Sequence, residues 1–273
     1  MHPRRSFLPI LLVLWLLFAS TACSTFMGSS SPVVDRIQKS GELRIGMTGD
    51  YPPLNMVDRN GESFGLEPDL AKALAQSMNV ELVVVNKTFQ ELLAALESGE
   101  VDAVMSGMGM TPERNMKVAF VGPYFVSGKA VLTKSATLAR ARSMSDLNPA
   151  RLRMSVLAGS TSQAFLSKAA PSAKVTATPT TEAAIQLVID GGVDAMFADH
   201  ASCMLAVLRH PEAGLSTVVS PLSFEPIGMA LPANDPLLVN IVQNYMTTLE
   251  GTGLLEQLRE RWFEDPSWLE RLP

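Results

Sequence analysis

The chain has 273 residues and a formal net charge of −5, and its length fits one large or two medium-sized domains. Because an acidic chain gains nothing from counterion release on phosphate backbones, the charge argues against nucleic acid as a partner. Two cysteines and three histidines are present, without a C-x-x-C pair, so no metal site and no cofactor are expected.

The beginning of the chain has the pattern of a secretory signal peptide. Arg4 and Arg5 precede an apolar run that is too short to span a bilayer. A following S-T-A-C segment that ends at Cys23 resembles a bacterial lipobox, in which the cysteine is acylated after cleavage, although serine stands where leucine is usual. We therefore expect a signal peptide at 1–22, a lipidated tether at 23–35 and a periplasmic, membrane-anchored protein; export without an anchor is the alternative.

From about residue 42, short strand patterns alternate with helix patterns, which predicts α/β layers with parallel strands. The first elements are a strand at 43–47, a helix that Pro68 and Asp69 open and that runs to about 78, a strand at 82–85, a helix at 90–98 closed by Gly99, and a strand at 102–105. The strand at 102–105 runs into a turn broken by glycines.

After this break, an isolated strand is predicted at 129–133, and the alternation begins again at Arg151. The later elements are a strand at 154–159, a helix from Thr161, a helix at 181–190 closed by Gly191, a strand at 194–199, and helices at 235–251 and 254–263. The restart predicts two lobes. No internal repeat is evident in the sequence.

Several motifs occur in a fixed order along the chain: GELRIG (41–46), YPPL (51–54), GLEPDLAKALA (65–75), FQELLAALESGEVDAVMSGMGMTPER (89–114), FVGPYF (120–125), VLAGSTSQAF (156–165), GGVDAMFAD (191–199), and IGMAL through GTGLLEQLRERWF (227–263). Together they resemble family 3 of the bacterial extracellular solute-binding proteins, two-lobed receptors that deliver amino acids to ABC importers. The resemblance covers roughly residues 33–263.

The resemblance implies a type II periplasmic-binding-protein fold, in which two Rossmann-like α/β lobes are joined by a two-strand hinge. Lobe one would comprise 36–126 and 225–273, and lobe two 127–224, with the hinge near 126–127 and 224–226. A pair of crossing strands lets two rigid lobes close around a ligand by small changes in dihedral angle. The implied partners are a small-molecule ligand and an ABC transporter permease.

Open α/β sheets bind ligands at the carboxyl ends of their strands, and four of the motifs fall there. By resemblance, Arg114 clamps the ligand α-carboxylate, with backbone amides near Gly109 and Thr111 completing its solvation. Thr161, next to Ser160 at a helix start, would add its hydroxyl and amide to the same carboxylate. A solvated arginine and an ordinary helix cap are the alternatives.

Asp199 ends a strand and matches the family position that holds the ligand α-ammonium. A buried carboxylate without a basic neighbour in sequence needs a cation, which a ligand can supply; a cap for a helix beginning near His200 is the alternative. Tyr51 and Phe89 match positions that enclose the ligand side chain, although either could belong to the core. Ser106 and the carbonyl of Gly107 would complete the polar rim.

Three positions depart from the family pattern. Gly109 stands where many members have a threonine or serine that contacts the ammonium, Glu67 stands for a usual aspartate, and Leu54 for a common phenylalanine. The missing hydroxyl at position 109 makes a ligand with a modified or absent amino group an alternative to an ordinary amino acid.

Two other functions remain as alternatives. A dehydratase branch of this fold acts on prephenate and arogenate, and its lobe two resembles this chain, including LRHPEAGL (208–215). Such an enzyme needs a proton donor in the pocket, and His200 is the candidate; we expect no catalytic residue. A ligand-sensor subunit is the other alternative. The sequence thus predicts a non-enzymatic receptor for a small amino acid or related carboxylate.

Overall fold

A computed structural model describes residues 31–147, 151–169, 171, 173–218 and 220–272. The predicted signal peptide and Cys23 lie outside the described residues. Helix α1 begins at Pro32, so the last four residues assigned to the tether are helical. Within the described ranges, no helix has the length and apolar character needed to cross a bilayer.

The strands and helices alternate for most of the chain. In chain order the described strands are β1 (Glu42–Met47), β2 (Asp50–Tyr51), β3 (Asn55–Val57), β4 (Ser63–Phe64), β5 (Glu81–Asn86), β6 (Ala103–Val104), β7 (Val118–Ser127), β8 (Lys129–Thr133), β9 (Arg153–Leu157), β10 (Lys174–Thr178), β11 (Ala195–Asp199), β12 (Ser216–Thr217) and β13 (Glu225–Pro232). The described α-helices are α1 (Pro32–Ser40), α2 (Leu66–Ser77), α3 (Leu92–Glu97), α4 (Pro112–Asn115), α5 (Met144–Leu147), α6 (Thr161–Ala169), α7 (Thr181–Ile189), α8 (His200–Arg209), α9 (Pro236–Gly251) and α10 (Leu254–Phe263).

Two five-stranded sheets dominate the fold. Sheet one has the order β5-β1-β6-β13-β7, and sheet two has the order β10-β9-β11-β8-β12. The sequence predicted parallel strands, but both sheets are mixed. β13 runs antiparallel to β6 and β7 in sheet one, and β8 runs antiparallel to β11 and β12 in sheet two. A third, small sheet of β2, β3 and β4 was not predicted, because its strands have only two or three residues.

The strand predicted as isolated, β8, lies inside sheet two. All five of its residues are buried, since it has a neighbouring strand on each side and packed layers on both faces. The K-A-V-L-T sequence shows no polar and apolar alternation for this reason. Its charged first residue, Lys129, is therefore unusual in such a strand.

The two sheets contain the same arginine–aspartate clamp. In sheet one, Arg44 donates its backbone N–H to Asp102 Oδ2 at 2.7 Å and its guanidinium to Oδ1 at 2.8 Å. In sheet two, Arg153 donates its backbone N–H to Asp194 Oδ2 at 2.8 Å and its guanidinium to Oδ1 at 2.6 Å. Each clamp joins the first and third strands of a parallel unit, β1-β5-β6 or β9-β10-β11. The units are thus a structural repeat that the sequence did not reveal.

The chain passes between the sheets at two adjacent places. β7 ends at Ser127 in sheet one and β8 begins at Lys129 in sheet two, and the chain returns before β13. A Cβ atom at Gly128 would lie 2.0 Å from the Ser223 carbonyl oxygen, so the two crossings touch and only glycine fits. Each sheet has its own hydrophobic core, and α9 and α10 pack on that of sheet one.

Candidate ligand-binding site

A cavity of about 390 Å³ lies at the carboxyl ends of β1, β6, β9 and β11, two strands from each sheet. Eight of the ten residues proposed from the sequence line it: Tyr51, Phe89, Gly107, Gly109, Arg114, Ser160, Thr161 and Asp199. The other two, Ser106 and Thr111, do not line it. Parallel strands bring these residues together because their carboxyl ends meet at one edge of each sheet.

Arg114 is held in place by the start of α4. Thr111 caps this helix, since its hydroxyl accepts the backbone N–H of Arg114 at 3.2 Å. The guanidinium then donates to the carbonyls of Gly109 at 2.8 Å and Gly159 at 3.2 Å, one from each side of the cavity. Its centre lies 5.6 Å from the Phe89 ring centroid. Two of its five N–H groups are used in these bonds, and the rest of the fork is suited to a carboxylate.

The two sides of the cavity also touch elsewhere. Gln90 donates to the Ala158 carbonyl oxygen at 2.8 Å, and Lys168 lies 3.0 Å from Glu113 in an exposed ion pair. Together with the Arg114 bond to Gly159, these contacts hold the cleft shut over the cavity. The Lys168–Glu113 pair is exposed and contributes little to this closure.

Asp199 has a cation from the protein itself. Its Oδ1 accepts from Lys129 Nζ at 2.7 Å, and its Oδ2 accepts from the Tyr51 hydroxyl. Lys129 is the residue opposite Asp199 in the antiparallel β8–β11 pair. Asp199 has no basic neighbour close in sequence, but the fold brings it a lysine from 70 residues away along the chain. The alternative role as a helix cap is not seen, because the Asp199 side chain makes no capping bond to α8.

Glu225 is the second acid beside this lysine, and the sequence analysis did not include it. It is the first residue of β13 and forms an ion pair with Lys129 Nζ. The lysine side chain is 5% exposed and that of Glu225 10%. The Thr161 hydroxyl accepts from Lys129 Nζ at 2.6 Å and donates to Glu225, so it is already engaged within the protein. We call Lys129, Thr161, Asp199 and Glu225 the lysine cluster.

Burial and mutual charge set the pKa values in the lysine cluster. Burial alone would lower the pKa of Lys129, but Asp199 and Glu225 outweigh it and raise that pKa. Burial would raise the pKa of Asp199, yet the lysine charge holds it below its usual range. Burial and the charge of Asp199 raise the pKa of Glu225. Burial, helped by Asp199, raises the pKa of Tyr51, which therefore stays a proton donor.

A second buried carboxylate supports the other side of the cavity. Glu67 is fully buried and accepts from the Gly107 backbone N–H at 2.7 Å, from Asn55 Nδ2 at 2.5 Å and from the Tyr124 hydroxyl. Burial raises the pKa of Glu67, because these donors carry no net positive charge. A Cβ atom at Gly107, where φ is +60°, would lie 1.9 Å from the Tyr51 ring, so glycine lets that ring cover the strand end. We call Glu67, Asn55, Gly107 and Tyr124 the Glu67 cluster.

The serines assigned to the site have structural bonds. Ser106 is fully buried, and its hydroxyl accepts the Thr48 backbone N–H at 3.0 Å and donates to the Thr48 hydroxyl at 3.2 Å. It thus fixes the loop after β1 and does not form the rim. The Ser160 hydroxyl donates to the Leu157 carbonyl oxygen at 2.6 Å and accepts the Gln163 N–H at 3.2 Å. Ser160, and not Thr161, therefore supplies the side-chain cap of α6.

Gly109 faces the lysine cluster directly. A Cβ atom at this position would lie 2.4 Å from Glu225 Oε1 and 3.1 Å from Thr161 Cγ2. Glu225 therefore fills the space that a serine or threonine side chain at position 109 would occupy. The absence of a hydroxyl at 109 and the presence of the acid at 225 are two parts of one packing arrangement.

His200, the candidate acid of the dehydratase alternative, lies away from the cavity. Its Nε2 is 3.0 Å from the Val218 carbonyl oxygen, and the side chain borders a different groove with Met204 and Phe224. Cys203 is fully buried, as expected, and burial raises the pKa of its thiol to about 12, which makes it unreactive. Among the described residues, no group of three metal-ligating side chains could hold an ion.

Comparisons with known proteins agree with this geometry. Residues 43–265 match the family model described as "Bacterial extracellular solute-binding proteins, family 3". The chain is 28% identical to ABC transporter arginine-binding protein 1 of Escherichia coli K12 over 225 residues, 81% of this chain and 90% of that protein. It is 29% identical to cyclohexadienyl dehydratase of Pseudomonas aeruginosa over 253 residues, 91% of this chain and 94% of that enzyme.

Solved structures show the same relationship. The crystal structure of an ancestral amino-acid-binding protein, described as a precursor of cyclohexadienyl dehydratase, superposes with a TM-score of 0.77. That protein is 35% identical and covers 86% of this chain and 100% of its own. The cavity described above thus belongs to a fold whose relatives include both binding proteins and an enzyme.

Proposed function

Because this chain belongs to family 3 of the bacterial extracellular solute-binding proteins, we propose that it captures a small amino acid or a related carboxylate and delivers it to an ABC importer. The observation that carries the proposal is Arg114, whose guanidinium bridges both sides of one closed cavity at the strand ends. A planar fork of donors in such a place binds a carboxylate through two parallel hydrogen bonds.

Closure of the cleft accounts for the affinity such a receptor needs. Micromolar to nanomolar binding corresponds to roughly −8 to −12 kcal/mol. A ligand of about ten heavy atoms must then contribute close to 1 kcal/mol per atom, which requires nearly complete enclosure. The adjacent crossings at Gly128 and Ser223 support a hinge about which the predicted lobes, 36–126 with 225–273 and 127–224, would close.

Thermal shift measurements test the proposal. A panel of the common amino acids and their hydroxy- and keto-acid relatives should include compounds that raise the melting temperature, because a ligand that binds only the native state stabilises it. The substitution Arg114→Gln should abolish the shift, whereas Arg140→Gln, at an exposed arginine of the turn Leu138–Arg140, should preserve it. Equal shifts in both variants would remove Arg114 from the binding site, and no shift with any compound would contradict the proposed function.

The predicted location follows from the start of the chain and from the family. We propose that the protein is periplasmic and is attached to a membrane by a lipid on Cys23. Incorporation of a labelled fatty acid should be lost in Cys23→Ser, and that variant should appear in the soluble fraction. A variant that remains in the membrane fraction without label would contradict the lipid anchor.

A dehydratase is the second candidate function, since the Pseudomonas aeruginosa enzyme of that name matches 91% of this chain. Burial raises the pKa of Glu225 beside the cavity, which is the property required of a general acid. Ultraviolet assays with prephenate and arogenate decide between the two functions. Turnover that Glu225→Gln abolishes would establish the enzyme, and its absence would leave the receptor. A ligand-sensor subunit would share the binding results and lack a transport phenotype on deletion.

A further inference from the structure

The corner of the cavity beside Asp199 already contains an ammonium group, that of Lys129. We propose that the ligand of this site is a carboxylate without an α-ammonium, such as a 2-hydroxy or 2-oxo acid, because Lys129 occupies the position that a ligand ammonium would need. This inference rests on the proposed function and specifies the ligand class of the same site.

The hydrogen bonds of the lysine cluster carry the inference. An ammonium group has three N–H donors and needs acceptors for each of them when it is buried. Lys129 Nζ contacts three acceptors, Thr161 Oγ1 at 2.6 Å, Asp199 Oδ1 at 2.7 Å and Glu225 Oε2. The remaining oxygen of Asp199 accepts from the Tyr51 hydroxyl. Both oxygens of Asp199 and the hydroxyl of Thr161 thus accept a hydrogen bond from the protein, and the oxygen of Glu225 that faces the cluster is in ionic contact with Lys129.

The charges in this corner leave no strong attraction for a second ammonium, because Lys129 and Asp199 balance each other, and burial and Asp199 raise the pKa of Glu225, which favours its neutral form. A ligand amine that approached Asp199 would lie close to Lys129, whose side chain is 5% exposed. Two like charges that are both shielded from water repel more strongly than they would in solvent. A hydroxyl or carbonyl at the same carbon of the ligand carries no such charge. Either group could hydrogen-bond at the edge of the cluster.

Glu225 packs closely against Gly109 and Lys129, so these three positions depend on one another. Its Oε1 would lie 2.4 Å from a Cβ atom at position 109, so any larger residue there would displace the acid from its place beside Lys129. The acid also contacts Lys129 Nζ from the side opposite to sheet two, since it belongs to β13 of sheet one. Gly109, Lys129 and Glu225 come from three separate segments of the chain and together close one corner of the cavity. Arg114, on the far side of Gly109, stays in place for the ligand carboxylate.

Matched ligand pairs test the inference. Each pair differs only at the α position: phenyllactate and phenylalanine, malate and aspartate, and argininic acid and arginine, with the corresponding 2-oxo acids as a third series. Calorimetric titration of the wild-type protein should show the hydroxy or oxo member binding at least about tenfold more tightly than its amino counterpart. An amino acid that binds as tightly as its partner would overturn the inference and leave the proposed function intact.

A charge-balanced variant reverses the preference. Lys129→Met together with Glu225→Gln removes one positive and one negative charge and leaves Asp199 as a single carboxylate. This double variant should gain affinity for amino members of the pairs and lose it for the others. If the double variant folds and shows the same ligand preference as the wild type, Lys129 does not exclude the ligand ammonium, and the inference fails. If no member of any series binds either protein, the proposed function fails as well.

If the double variant does not fold, the titrations of the wild-type protein with the matched ligand pairs still test the inference, because they need no substitution. The same titrations with Lys129→Arg provide a second test. Arginine keeps the positive charge in the corner, so this variant should also fail to bind the amino acids. Binding of an amino acid by Lys129→Arg but not by the wild type would contradict the role of a positive charge at this position.

Discussion

The two buried carboxylate clusters beside the cavity, the Glu67 cluster and the lysine cluster, differ in what neutralises them. Glu67 accepts three hydrogen bonds from groups without net charge, whereas Asp199 and Glu225 share the ammonium of Lys129. The Glu67 cluster fixes backbone that lines the site. The lysine cluster closes the end of the cavity at Asp199 and, as proposed above, sets the ligand class. Buried carboxylates therefore support the backbone in one cluster and hold a cation in the other.

Removal of the cation should have the largest effect. Lys129→Met leaves two buried carboxylates without a counter-charge, and we expect the free energy of unfolding to fall by about 3–5 kcal/mol. Urea denaturation measures it. The double variant Lys129→Met/Glu225→Gln should recover more than half of the loss, because it leaves one carboxylate only. If Lys129→Met is as stable as the wild type, charge interactions of Lys129 with Asp199 and Glu225 do not stabilise the lysine cluster.

Removal of one neutral donor should have a smaller effect. Tyr124→Phe deletes a hydroxyl that donates to buried Glu67, and the expected loss of stability is about 1.5–3 kcal/mol, as for a hydrogen bond to a charged group. The matched control is Tyr245→Phe, which deletes a bond to the Leu70 carbonyl oxygen and should cost about 0.5–1.5 kcal/mol. If both variants lose the same stability, Glu67 is uncharged in the native protein.

Glu67 and Asp199, one from each cluster, should change the stability with pH in opposite directions. The raised pKa of Glu67 means that the native state binds the proton more tightly than the unfolded state, so its contribution falls as the pH rises above about 4.5. The lowered pKa of Asp199 gives a contribution that is present above about 4 and is lost as the pH falls. Each slope is at most about 1.4 kcal/mol per pH unit.

Unfolding free energies measured between pH 3 and pH 7 separate these contributions. Glu67→Gln should remove the part that decreases with rising pH, and Asp199→Asn should remove the part that decreases with falling pH. If the two variants show the same dependence of unfolding free energy on pH, Glu67 and Asp199 do not differ in how folding changes their proton binding.

Much of the fold was predictable because its patterns are local. The bounds of β8 and α10 agree with the sequence prediction, since a buried strand and an amphipathic helix each leave a continuous pattern. The family and the two-lobed α/β fold class were also predicted and are confirmed by the matching family model and solved structures. The return of the chain to lobe one at residue 225 was part of the prediction, but the antiparallel direction of β13 beside β6 and β7 was missed, because it depends on pairing between distant segments.

The site was predictable in part for the same reason. Residues at the ends of parallel strands were placed together by a general rule of α/β sheets, and their roles in binding stay predictions. The bond between Lys129 and Asp199 depends on antiparallel register across sheet two, which no local pattern encodes. One signal was available. A lysine that begins an otherwise apolar, fully buried strand needs a buried partner, and an aspartate at the end of another strand could supply it.

The close approach of Gly109 and Glu225 links the two positions in any route by which the ligand preference of this protein could change. A serine or threonine at 109 would meet the end of the Glu225 side chain, so a substitution at 109 alone should displace the acid from Lys129 and lower the stability of the native protein. Shortening residue 225 first would leave Lys129 with a single carboxylate but would open room for a side chain. The order of the two substitutions therefore matters. A change at 225 that is followed by a change at 109 avoids the collision, whereas the reverse order does not.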